Sequence, residues 1–151
     1  MKFLMKNLCL CFLLALAVSQ PVSALPDRRF DEYGNISWEQ EMARLDNFAI
    51  ELLQDLNLVG HIIVYDGRPS CREEAIARAI RARNYVVNHR GVEWNRVVWR
   101  YGGHREELTV MLQPMFRGGP EIQPTPSVAP EDNKVKDCRA KMYQRKRGKR
   151  T

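Results

Sequence analysis

The chain is poor in the residues that usually carry chemistry. Its three histidines, His61, His89 and His104, stand at no metal-ligand spacing, and no acid lies at a helpful offset. Neither a metal centre nor a cofactor site is expected. No Ser-His-Asp, Cys-His or paired-carboxylate pattern occurs, so a hydrolase finds no support and the chain reads as a non-enzyme. A glycine-rich phosphate loop is also missing, because Gly102-Gly103 reads as a hairpin-like turn. Acid is absent from Arg139–Thr151, a stretch with seven Lys or Arg, and from the first residues, which carry Lys2 and Lys6. Setting those nine terminal cations aside leaves 15 basic against 18 acidic residues in Leu25–Cys138, a net of −3 inside a chain of +6. The basicity is terminal, and that excludes a nucleic-acid-binding core.

What is present begins with an address. Lys2 and Lys6 precede an apolar run, Leu8–Val18, and Val22-Ser23-Ala24 has the small residues of a cleavage site. Residues 1–24 read as a signal peptide, and the chain as exported to the periplasm, cell envelope or medium. Cys9 and Cys11 lie in that run. Cys71 and Cys138 remain. In an oxidising compartment one disulfide between them is the natural reading, with free thiols or an intermolecular bridge as the alternatives. Closing so long a loop contributes ~4 kcal/mol in the chain-entropy view.

One domain, 25–116, is expected, followed by a Pro-rich linker, 117–137, that cannot form a core, and a basic tail, 138–151. Ser37 with Gln40 makes a capping box, and Trp38, Met42, Leu45, Ala49, Leu52 and Leu56 recur at helical spacing. His61–Tyr65 is an apolar run of strand length, and Asp66-Gly67-Arg68-Pro69 a turn. Ser70 and Glu73 form a second capping box, opening a helix with Ala75, Ile76, Ala79, Ile80, Ala82, Val86 and Val87 on its apolar arc. Arg96–Tyr101 and Leu108–Leu112 are closing strands, and Phe30 begins a short first strand. The alternation predicts an α/β fold of the α+β sandwich kind: a mixed sheet of three to four strands covered by two helices.

These residues resemble a family. Phe30-Asp31, Ala43-Arg44-Leu45-Asp46-Asn47-Phe48-Ala49, Ile62-Ile63-Val64, Arg78-Ala79, Tyr85-Val86-Val87, Arg90-Gly91-Val92 and Asn95-Arg96-Val97-Val98 follow the order of the OmpA-like C-terminal domain. The resemblance covers roughly Phe30–Gln113 as pattern rather than identity. It implies peptidoglycan binding without catalysis, at the stem-peptide diaminopimelate. A carboxylate would hold the ligand's ammonium, and a guanidinium its carboxylate. Arg78 matches the family's arginine. The family's acid falls at Pro69 in a gapless alignment, and Asp66, three residues early, is the nearby carboxylate. The Asn and Leu-Ser that usually precede the Arg-Ala pair are replaced by Glu74 and Ala75, and the loop before the last strand is short.

The same helix carries Arg72, Arg81 and Arg83. Spacing sets Arg81 outward and Arg83 inside the apolar arc, where a carboxylate such as Glu51 would have to pair with it. Trp38, Trp94 and Trp99 read as core or edge packing before glycan contact. The basic tail reads as a solubilising end, an attraction to anionic lipid or wall polymer, or a processing site. The alternative to peptidoglycan binding is an interaction module that kept the fold and lost the ligand.

Overall fold

The computed structural model describes residues 30–132, except Pro69 and Arg72. The expected signal peptide, Cys138 and the basic tail lie outside the described residues. Six main elements follow in order: β1 (Asp31–Tyr33), α1 (Trp38–Gln54), β2 (Leu58–Gly67), α2 (Glu74–Asn88), β3 (Val97–Arg105) and β4 (Thr109–Phe116). The expected α+β architecture is present, a mixed four-stranded sheet with two helices.

The sheet order is β1-β4-β2-β3. β2 runs parallel to β3, and β4 lies antiparallel between β1 and β2. The two closing strands therefore do not pair with each other. Alternation along β2 sorts its side chains by face. Ile62 and Val64 meet Leu45, Phe48 and Leu52 of α1 and Ala75, Ala79, Ala82 and Val86 of α2. Ile63 and Tyr65 point the other way, with Met111. Both helices thus cover one face.

Helix α1 starts as its residues dictate: the Ser37 hydroxyl accepts from the Gln40 N–H, and the Gln40 side chain reaches back to the Ser37 N–H. It ends at Gln54, earlier than the apolar spacing suggests, so Leu56 is exposed rather than packed. Phe48, outside the expected stripe, is buried in its place. Ile80 of α2 is also exposed.

Three local readings fail, two of them, Asp66-Gly67 and Gly102-Gly103, to the pull of strand pairing. Asp66 and Gly67 are the last residues of β2, paired with His104 and Arg105. The Ser70–Glu73 box does not form. The Ser70 hydroxyl turns back to the Gly67 carbonyl, and α2 opens at Glu74 behind Glu73 in a left-handed conformation. Gly102 and Gly103 lie within β3. Val64 pairs with Tyr101 but Asp66 with His104, so β3 carries one extra residue there, a bulge. A Cβ on Gly102 would lie 2.4 Å from the Tyr65 ring, and Gly103 has φ +96.

The expected linker also departs from its reading. Ile122 and Val128 are buried, and Ile122 packs against Ile63, Tyr65 and Met111. A Pro-rich stretch cannot build a core of its own, but here it closes one supplied by the sheet.

Candidate functional site

Arg78 stands on the second turn of α2, half-buried. One of its terminal nitrogens donates to the Gly34 carbonyl at 3.2 Å and the other to Asn35 Oδ1 at 2.7 Å. Both acceptors are neutral and lie in the loop from β1 to α1. A guanidinium has five N–H donors, so this grip orients the group without using all of them. No described carboxylate pairs with it. Arg83 and Arg96 likewise meet only carbonyls, whereas Arg44 pairs with Asp31, Arg81 with Glu41, Arg90 with Asp46, Arg100 with Glu121 and Arg105 with Glu32.

Asp66, the other expected ligand residue, is buried and occupied. Its Oδ1 accepts from the Ala75 N–H at the start of α2, 3.4 Å away, and its Oδ2 from the Tyr101 hydroxyl at 3.1 Å. No hydrogen bond or ion pair joins Asp66 to Arg78. The carboxylate fastens the first turn of α2 to β3, in the role that Ser70 fails to fill, and favourably meets the positive end of the helix. The expected pairing of Asp66 with Arg78 is thus not made, because both Asp66 oxygens are engaged elsewhere. Burial and the Asp66 charge push the Tyr101 hydroxyl up to about 12, so it stays a donor. The His104 ring lies within 3.2 Å of that hydroxyl, completing a polar cluster where the parallel strands end.

Three other arginines answer to partners that sequence could not disclose. Glu41, on α1, is fully buried. It takes the Tyr33 hydroxyl at 3.3 Å and the Arg81 guanidinium, which also lies 4.4 Å from the centre of the Trp38 ring. Arg81 is thus exposed on the outer face, as its spacing suggests, and at the same time the ion-pair partner of a buried acid. Burial and the Glu41 charge drive the Tyr33 hydroxyl far above its ordinary range. Arg83, expected to need a carboxylate, instead donates to the carbonyls of Val97 and Trp94. Arg96, buried, closes the end of α1 through the carbonyls of Leu52, Asp55 and Leu58.

Along the outer side of α2 runs an open groove of about 340 Å³, lined by Trp38, Ile80, Arg81, Asn84, Tyr85 and His89 among others. Its aromatic rings are engaged within the molecule: Tyr85 meets Trp38 edge-on and stacks on His89. Trp38 is half-buried there, as core-edge packing requires, whereas Trp94 is exposed. Among the described residues no cluster of three or more His, Cys, Asp or Glu is placed to hold a metal ion. Cys71 is disulfide-bonded. Cys138, the partner expected from the sequence, lies outside the described residues.

Comparison with family models, curated proteins and solved structures finds no match for this chain.

Proposed function

We propose that the chain is an exported, non-catalytic domain of the cell envelope, and that Arg78 takes a carboxylate of peptidoglycan or a similar anionic wall polymer. One observation carries this reading. Arg78 is a half-buried guanidinium of α2 oriented by neutral oxygens and paired with no described carboxylate, and it is the arginine that matches the resemblance's ligand position; Arg83 is also held by neutral oxygens only, at the Val97 and Trp94 carbonyls. Such a group retains its charge and free donors for a bidentate anion. The element order, strand and helix alternating and closed by an antiparallel strand, supports the resemblance to OmpA-like domains from which the ligand class is drawn. The basic stretch 139–150 adds attraction to an anionic surface.

A second reading has its own observation. Asp66 is buried with both oxygens engaged, so no acid stands ready for the ligand's ammonium. This favours an interaction module that kept the fold and lost the ligand. Co-sedimentation with purified sacculi separates the two. The envelope reading expects the protein in the pellet, Arg78→Ala to lower binding at least tenfold, and Arg78→Lys to recover part of it. A protein that stays in the supernatant, or an Arg78→Ala variant that sediments unchanged, leaves the interaction module standing.

A further inference from the structure

The face of the sheet opposite the helices holds a group of side chains that the proposed function does not use. Side chains alternate along a strand, so His61, Ile63 and Tyr65 of β2 share this face with Met111, Gln113 and Met115 of β4. Ile63 lies opposite Met111, His61 opposite Gln113 and Val59 opposite Met115. His61 therefore has a methionine on each diagonal. Diagonal cross-strand side chains start ~7–8 Å apart, a gap that an imidazole and a thioether close when an ion lies between them. The Gln113 side-chain amide donates to the Met115 sulfur at 3.6 Å, which sets that sulfur beside the residue facing His61. Met111 is buried, and Met115 half-buried, in one apolar cluster with Ile63 and Ile122.

Packing leaves His61 unexplained. Its Nδ1 is buried and has no hydrogen-bond partner among the described residues. Such an atom carries a desolvation penalty that nothing offsets, and in native proteins it is a sign of a bound ion, a water or a functional role. Burial, then the Arg100 charge, lowers the imidazole from its ordinary 6.5, so at neutral pH the ring is uncharged and one of its nitrogens offers a lone pair. Arg100 is itself paired with Glu121. The donors on offer are one imidazole and two thioethers, with no carboxylate among them. Thioethers are soft and favour Cu(I), whereas Mg(II) and Ca(II) demand oxygen and structural Zn(II) is held by imidazole with thiolate or carboxylate. An uncharged donor set suits a singly charged ion, since a second positive charge would stand unanswered in this half-buried place.

We propose that His61 Nδ1 and the sulfurs of Met111 and Met115 form a binding site for a soft monovalent metal ion, Cu(I). The ligands come from two paired strands, which is why no spacing along the sequence discloses them. Binding is coordination alone: no protein bond breaks and no electron is transferred. The site lies across the sheet from α2, so it stands or falls independently of Arg78.

Anaerobic titration of Cu(I) into the oxidised full chain, with free thiols alkylated beforehand and bathocuproine disulfonate as competitor, tests this. The site predicts uptake of a single equivalent. The methyl resonances of Met111 and Met115 and the ring nitrogens of His61 should shift, while the Met42 methyl stays in place, and Zn(II) should move none of them. Met115→Leu and His61→Leu should each weaken binding at least tenfold, and Met42→Leu should leave it unchanged. His61→Leu replaces an unsatisfied polar atom with an apolar group, so it is expected to fold as the wild type does. Four results overturn the proposal: no uptake against the competitor, shifts at Met42 in place of Met111 and Met115, an equal response to Zn(II), or unchanged affinity in both Met115→Leu and His61→Leu. If His61→Leu does not fold, the wild-type spectra and Met115→Leu decide.

Discussion

Arg78 and Arg81 stand three positions apart on α2, and the structure treats them oppositely. Arg81 reaches Glu41, a carboxylate wholly inside the protein, and covers Trp38 on the way. Arg78 reaches only neutral oxygens, the Gly34 carbonyl and the Asn35 amide. A buried charge must be answered by another charge or by several hydrogen bonds, so the first arginine belongs to the fold. The second is held but not neutralised, which is the condition for receiving an anion. Two residues that look alike in sequence are therefore separated by what lies across from them on α1 and on the loop before it.

The comparison can be broken by substitution. Arg81→Ala should be the most damaging change, because it leaves Glu41 buried with only the Tyr33 hydroxyl. About 3 kcal/mol of stability is expected to be lost in urea unfolding, the low end for a broken buried pair because Arg81 itself is half exposed. A loss below about 1 kcal/mol would show that Glu41 is not dependent on that cation. Replacing both members, Glu41→Leu with Arg81→Leu, should restore most of the loss, since apolar groups of similar volume need no counter-charge. Arg78→Ala should cost less than about 1 kcal/mol, the net value of a partly exposed side-chain hydrogen bond. A larger cost would move Arg78 to the structural side.

The smallest effect is expected from acid. Asp46 on α1 and Arg90 beyond α2 form the exposed counterpart of the Glu41–Arg81 pair. Hydrogen bonding from Arg90 holds the Asp46 carboxyl below its ordinary 3.8. The folded state thus binds fewer protons than the unfolded chain in that window. Its contribution is full above pH 3.8 and disappears as pH falls through the lower folded value. His61 acts at higher pH in the same direction: burial first, then the Arg100 charge, lowers it from 6.5. Its neutral folded form gives stability that is present above pH 6.5 and lost as pH falls through its folded value. Urea midpoints at pH 7, 5 and 3.5 should fall stepwise. A midpoint that rises on acidification would contradict both signs.

Much of the fold could be read locally. The Ser37–Gln40 box works because its two partners are three residues apart, and α1 follows from it. The strand around Ile62–Val64 is apolar and β-branched, and it forms. What escaped was decided by distant partners. Glu41 looks like an ordinary surface acid of an amphipathic helix, and nothing near it announces Tyr33 above or Arg81 forty residues on. Ser70 has the chemistry of a cap, yet Asp66 takes the Ala75 amide first. Gly102-Gly103 has the chemistry of a turn, but the Tyr65 ring occupies the space a side chain would need, and the pair marks a bulge inside β3. Arg78 was singled out, as a proposed ligand residue, only by its resemblance to a family pattern. Its lack of a carboxylate, and the Gly34 and Asn35 grip that holds it, were not.

Sedimentation with purified sacculi, run in parallel on the wild type, Arg78→Ala and Arg44→Ala, tests the central claim most directly. Arg44 is a fair control because its charge is already answered by Asp31. The account predicts that the wild type and Arg44→Ala enter the pellet alike and that Arg78→Ala falls at least tenfold behind. Equal sedimentation of all three, or none at all, would contradict it.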